Sequence, residues 1–186
     1  QFFLMGNLAL EQKEYANAIR YYDEALEKKK DFADVHSNRG IAYLRIGELD
    51  KALQDFNQAL EIDKDFAEAY FNRAGVLIDK SEFSLAAADL EQIRKVYQDS
   101  SNYYLKWGDL KSQQGYYEQA LAEYDRAHAL QAGNVQARVN RGVVYFAKKN
   151  FKEAQDDFES ALKLNPQQEL AYNNLALIFA RNNQPE

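Results

Sequence analysis

One interval, 34 residues, runs through the whole chain and limits what it can become. Gly6, Gly40, Gly108 and Gly142 fall on it, and Ala74 and Ala176 fill the two remaining places. Twelve residues after each of the first five stands an alanine: Ala18, Ala52, Ala86, Ala120 and Ala154. A third small column, Ala25, Ala59, Ala127 and Ala161, is broken only by Ile93. Large residues keep step in Tyr15, Leu49, Phe83, Tyr117 and Phe151, and in Tyr22, Phe56, Leu90, Tyr124 and Phe158. Self-similarity at this spacing is the signature of a stacked array of one supersecondary unit.

Each unit reads as two helices. In the second, Val35, His36, Arg39, Ala42, Tyr43 and Ile46 recur at three and four residues, one helical stripe. Gly47 followed by Glu-Leu-Asp marks a turn and a fresh start. Leu49, Ala52, Leu53, Phe56, Ala59 and Leu60 form the second stripe. Helices of about 13 residues are marginal alone in water, so stability has to come from packing each stripe on its neighbours. The small columns suggest how: Gly or Ala on the first helix is expected to face Ala on the second, with Tyr and Phe filling the wider gaps. The absence of Thr and the presence of only 14 Val and Ile argue against a sheet protein.

The step, the small-residue pairing and the run Asn38 to Asp63, NRGIAYLRIGELDKALQDFNQALEID, resemble the tetratricopeptide repeat. The resemblance covers five units plus the first helix of a sixth: approximately 1–32, 33–66, 67–100, 101–134, 135–168 and a partial 169–186, as one array. It implies an all-α, right-handed superhelical solenoid of helix pairs serving as a protein-docking scaffold. Only Pro166 stands where the family closes a unit with proline; Lys30, Lys64, Gln98 and Ala132 occupy the other places, so helix ends there are expected to be less sharp. Ile93, Arg94, Trp107, Lys111 and His128 also depart from the repeat, and the junction around 93–111 is expected to pack differently and change the local pitch.

Arg39, Arg73 and Arg141 are followed sixteen residues later by Asp55, Asp89 and Asp157. Where the arginine is missing the acid is missing or altered: Met5 goes with Tyr21, Trp107 with Glu123. In an antiparallel hairpin these positions are neighbours, which predicts an intra-repeat ion pair that fixes geometry more than it adds stability. The alternative is that the three arginines hold an anionic ligand.

By the resemblance, first helices line a concave face. Its central column is Asn38, Asn72, Lys106, Asn140 and Asn174, flanked by Ser37, Phe71, Leu105, Val139 and Asn173, by Ile41, Gly75, Asp109, Val143 and Leu177, and a turn further on by Leu44, Ile78, Ser112 and Phe146. A carboxamide both donates and accepts, so it can pair with the backbone of an extended peptide while apolar neighbours hold the side chains. Asn38, Ile41, Phe71, Asn72, Lys106, Asn140, Val143 and Asn174 are the candidate partner-binding residues. The other reading is that the asparagines lie on a solvated face or bond helix to helix. A clamp for acidic chaperone C-termini is not expected, because Lys106 is the only base in the central column.

Other functions find little support. There is no Cys, hence no disulfide or cysteine-based site. The two histidines, His36 and His128, are nearly three repeats apart; no metal site is expected, and His36 is read as a packing residue. No phosphate-binding loop, metallopeptidase run or nucleophile elbow occurs, so neither a catalytic residue nor a cofactor is expected. A net charge of −6 disfavours nucleic acid, and the aromatics are mostly accounted for by the repeat columns. The uncharged stretches Gln1–Leu10 and Leu170–Ala180 are about half the roughly 20 residues of a membrane span, and no charged leader precedes an apolar run. The last helix, roughly Glu169 to Arg181, is expected to expose Leu175, Ile178 and Phe179 ahead of Pro185 and Glu186. That face implies further chain or self-association through the C-terminal helix. The expected function is non-catalytic docking of a peptide or helical segment of a partner. The alternatives are a regulatory or substrate-recruiting segment of a multidomain enzyme, and an oligomerisation or spacer array.

Overall fold

The computed structural model describes residues 1–182 as twelve helices with no strand among them. Residues 183–186, with Pro185 and Glu186 at the end of the partial sixth repeat, lie outside the described residues. First helices are α1 (Phe2–Glu11), α3 (Ala33–Arg45), α5 (Ala67–Asp79), α8 (Ser101–Gln113), α10 (Val135–Ala147) and α12 (Glu169–Asn182). Second helices are α2 (Tyr15–Lys28), α4 (Leu49–Ile62), α6 (Phe83–Gln92), α9 (Tyr117–Leu130) and α11 (Phe151–Leu164). One turn, α7 (Arg94–Tyr97), follows α6. The chain forms two compact units, Gln1–Val96 and Tyr97–Glu186.

The same device makes the turn within each pair. Lys13, Gly47, Ser81, Gly115 and Lys149 all adopt positive φ, between 61° and 80°. The next residue's N–H then reaches back to the first helix, as in Glu48 to the Tyr43 carbonyl at 3.0 Å and Asn150 to the Tyr145 carbonyl at 2.9 Å. This is the left-handed helix stop that glycine suits best. Second helices close equally regularly. Lys29, Asp63, Gln131 and Asn165 are extended, and each N–H bonds the alanine carbonyl four residues back. The ends before Lys30, Lys64 and Ala132 are thus as sharp as the one before Pro166, contrary to expectation, whereas α6 stops well short of Gln98. The bond to the alanine carbonyl and the extended residue after it terminate the helix; the proline only reinforces them.

Packing adds to one sequence expectation. Nearest to each glycine of the column stands the aromatic ring sixteen residues on. A Cβ built on Gly6 or Gly108 would stand 2.4 Å from the Tyr22 or Tyr124 ring, and on Gly40 or Gly142 2.9 or 2.8 Å from the Phe56 or Phe158 ring. Glycine is needed because the ring lies against bare backbone. At the corresponding place in the third repeat Ala74 is joined by Leu90, both fully buried. The methyl group is present where the ring is not. The alanine column (Ala18, Ala52, Ala86, Ala120, Ala154) is also fully buried, and Ala52 clusters with Phe56 and Val76.

The third second helix is the irregular one. The others run 14 residues, whereas α6 stops after 10 and Ile93 breaks the path before α7. Ile93 is buried at a step where the other repeats have alanine. The divergence seen in the sequence therefore falls on a real break in the helix pattern.

The C-terminal expectation is overturned in part. Leu175 and Ile178 are buried, in a cluster with Val139, Ala154, Phe158 and Ala161. They point back onto α10 and α11. Phe179 is exposed as expected, together with Leu170, Tyr172 and Leu177.

Candidate partner-docking face

In Gln1–Val96, α1 touches α3 and α3 touches α5, while among the described residues no comparable contact joins successive second helices. In Tyr97–Glu186 the same holds for α8, α10 and α12. First helices therefore form the inner side of each unit. The candidate residues lie there, all half-buried: Asn38 and Ile41 on α3, Phe71 and Asn72 on α5 in the first unit; Lys106 on α8, Asn140 and Val143 on α10, Asn174 on α12 in the second. Of the flanking columns, Ser37, Val139 and Ile78 are buried and offer no surface. An open recess of about 460 Å³ lies on the first unit, lined by Leu10, Glu11, Lys13, Tyr15, Ile41 and Arg45.

The asparagine column is chemically heterogeneous. Asn38 Nδ2 donates to Asn7 Oδ1 at 2.9 Å, and the Tyr22 hydroxyl donates to the same oxygen at 2.9 Å. Asn140 Nδ2 and the Tyr124 hydroxyl donate to Asp109 Oδ1 at 2.6 and 2.8 Å. The two hubs are one motif, repeated three units further along the chain. A ring ending in hydroxyl meets a polar residue after the glycine, and the next repeat's asparagine completes the set. Where the ring is Phe56 or Phe158, the residue after the glycine is Ile41 or Val143, and the following asparagine has no acceptor in that place. Asn174 instead bonds its own helix at the Leu170 carbonyl, 2.8 Å away. Asn72 makes no side-chain hydrogen bond among the described residues, so its amide is available. Burial raises the Tyr22 phenol to about 12, a shift that the Glu11 charge adds to and the Asn38 bond opposes. Tyr124 is raised further, by burial first and by the Asp109 charge next. Both hubs therefore keep their hydroxyl donors at neutral pH.

The arginine pairs form as expected, and each does more than expected. Arg39 Nε and Nη2 grip Asp55 at 2.8 and 2.7 Å, Arg73 grips Asp89 at 2.7 and 2.6 Å, and Arg141 grips Asp157 at 2.8 and 2.6 Å. The third nitrogen of each reaches sixteen residues backwards, to Asp23 at 2.6 Å, Asn57 at 2.8 Å and Asp125 at 2.6 Å. Each guanidinium thus ties together two successive second helices. Bonds to Asp157 and Asp125 raise the Arg141 pKa against burial; at Arg39 burial is the largest influence, and the bonds to Asp55 and Asp23 outweigh it. With three of the five N–H donors of each guanidinium engaged, the arginines are bound to their structural partners, which speaks against the anion-binding alternative.

His36 is buried, but it is more than a packing residue. Its Nδ1 lies 3.1 Å from Asp55 Oδ1 and its Nε2 3.1 Å from the Lys30 carbonyl. Sequence reading missed this contact, the hubs and the backward arm of the arginine clamp. The last was legible: Asp23, Asn57 and Asp125 form a polar column on the same period.

The comparisons fit this geometry. The family model described as tetratricopeptide repeat matches residues 33–66 and 135–168. A second, described as TPR repeat, matches residues 6–47. The chain belongs to the tetratricopeptide repeat family, a family of protein-interaction scaffolds that is generally non-catalytic. Among solved structures it is similar to TTC0263, a thermophilic TPR protein of Thermus thermophilus, at 16% identity and a TM-score of 0.79 over 96% of this chain and 97% of that one. It is similar to MamA of Desulfovibrio magneticus RS-1 at 19% identity and a TM-score of 0.75, over 90% and 95%. It is also similar to YrrB, described as a TPR protein with an unusual peptide-binding site, at 22% identity and a TM-score of 0.68, over 94% and 90%. At these identities the likeness establishes the fold. A search of curated proteins finds no match. Among the described residues no helix is long and apolar enough to cross a membrane.

Proposed function

We propose that the chain is a non-catalytic scaffold, one array of five and a half repeats, that docks an extended or helical segment of a partner protein on its first-helix side. The observation that supports this reading is Asn72. It lies half-buried on the inner side, next to Phe71 and one repeat along from Ile41, with an amide that no neighbour uses. Asn38 lies on the inner side of the first unit and Asn140 on that of the second, each with donor or acceptor capacity left after its structural bond. The experiment is a pull-down and thermal melt of Asn72→Ala and Asn140→Ala beside wild type. Asn72→Ala is expected to lose partner capture with an unchanged melt. Asn140→Ala is expected to lower stability by about 1 kcal/mol through its lost bond to Asp109. Undiminished capture by Asn72→Ala would favour the spacer reading.

A second reading concerns α12, where Leu170, Tyr172, Leu177 and Phe179 are exposed on one helix. They form two stripes about 180° apart, Leu170 with Leu177 and Tyr172 with Phe179, and the second of these supports association of copies. Sedimentation velocity across micromolar concentrations is expected to show a dimer that Phe179→Asp abolishes. A monomer throughout removes the reading.

A further inference from the structure

The two units differ in the charge they carry on their inner sides. On α3, Asp34, Asn38, Ile41 and Arg45 are spaced four, three and four residues apart and fall on one narrow stripe. On α5, Glu68, Asn72, Gly75 and Asp79 repeat it, and Glu11 continues it on α1. Glu11, Asp34, Glu68 and Asp79 are exposed, and none has an ion pair or side-chain hydrogen bond among the described residues. Arg45 is the one cation at this register in the first unit. In the second unit the charges at the same register are Lys106, Asp109 and Arg181. The first stripe is thus acidic and the second slightly basic.

Helix stability explains half of the acidic stripe. Asp34 and Glu68 lie in first turns, where the helix dipole favours a negative charge. Glu11 and Asp79 are the last residues of α1 and α5, where the dipole opposes it. Two carboxylates are therefore held without local reward, on the side that also carries Ile41 and the available amide of Asn72.

We infer that the inner face of Gln1–Val96 takes an extended partner segment in which lysine or arginine alternates with aliphatic residues. This rests on the docking role proposed above and gives it a partner chemistry. Cations meet the four carboxylates, aliphatic side chains meet Ile41 and the recess beside it, and the Asn72 amide pairs with the segment's backbone.

The test is fluorescence anisotropy of the full chain with three labelled peptides of about ten residues, alternating Leu–Lys, Leu–Ser and Leu–Glu. The Leu–Lys peptide is expected to bind about tenfold more tightly than Leu–Ser, with Leu–Glu weakest and the advantage falling steeply with salt. Glu68→Lys/Asp79→Lys removes that preference. Glu27→Lys/Glu61→Lys, which reverses two exposed acids on second helices, leaves it intact. Equal loss in both double variants means unspecific attraction and overturns the inference. Equal binding of Leu–Lys and Leu–Ser, both weakened by Asn72→Ala, overturns it while sparing the docking role. A lysine preference untouched by both Asn72→Ala and the Glu68/Asp79 reversal overturns the two together.

Discussion

Arg39→Met is expected to destabilise the first unit by about 3–5 kcal/mol, the largest effect of any single change proposed for this chain. The Asp55 side chain is 4% exposed and takes two hydrogen bonds from Arg39. Removing the arginine leaves a buried carboxylate whose only remaining partner among the described residues is His36, and releases Asp23 on the preceding second helix as well. The attraction itself is not the main quantity at stake, since desolvation offsets much of it. The double variant Arg39→Met/Asp55→Leu should therefore regain most of what the single one loses. Urea denaturation of the four chains of this cycle measures both. A loss of under about 1 kcal/mol in Arg39→Met would show that water reaches Asp55 and that the clamp is incidental.

Gly142→Ala should destabilise the second unit although alanine is the better helix former. Helix propensity favours the substitution by about 1 kcal/mol. Overpacking opposes it by about 1–3 kcal/mol, because the new methyl would lie 2.8 Å from the Phe158 ring, which is fully buried. A net loss of up to about 2 kcal/mol follows. The third repeat indicates the remedy, since alanine there is accompanied by Leu90. Gly142→Ala/Phe158→Leu is expected to cost less than the sum of its single changes, a coupling of about 1 kcal/mol in thermal or urea unfolding. Strict additivity would mean that glycine and ring do not confront one another.

The sequence told most where an interaction repeats on the 34-residue period, and least where it depends on one repeat's departure from it. Helix spans, turns and the forward arginine pairs were legible because each occurs several times at fixed spacing. The ring nearest the glycine column was not assigned because Ala52 and Phe56 lie one turn apart on the same helix face, and periodicity cannot say which of the two comes closer to Gly40. Leu175 and Ile178 were misplaced for a related reason. Apolar residues on a terminal helix look alike from the sequence whether they point back onto α11 or outwards. Among the candidate residues, sequence marked Asn38, Asn72 and Asn140 as equals. Their difference lies in what precedes them by 31 residues: Asn7, Ile41 and Asp109. It is visible only once α1 is seen beside α3, and α8 beside α10. His36 escaped for want of any repeat at all, its place being filled by tyrosine in three other units.

The hydroxyl hubs impose a grammar on the order of the modules. A repeat whose ring ends in oxygen obliges its successor to bring an amide, whereas one ending in a plain phenyl leaves that amide idle. Transplanting the block 33–66 into the place of 1–32 would thus keep every helix and every glycine, yet leave the asparagine of the following repeat without its acceptor. Shuffled or consensus-built versions of this chain should be judged by which neighbours they put together, since each cassette is complete only in the company it was selected with.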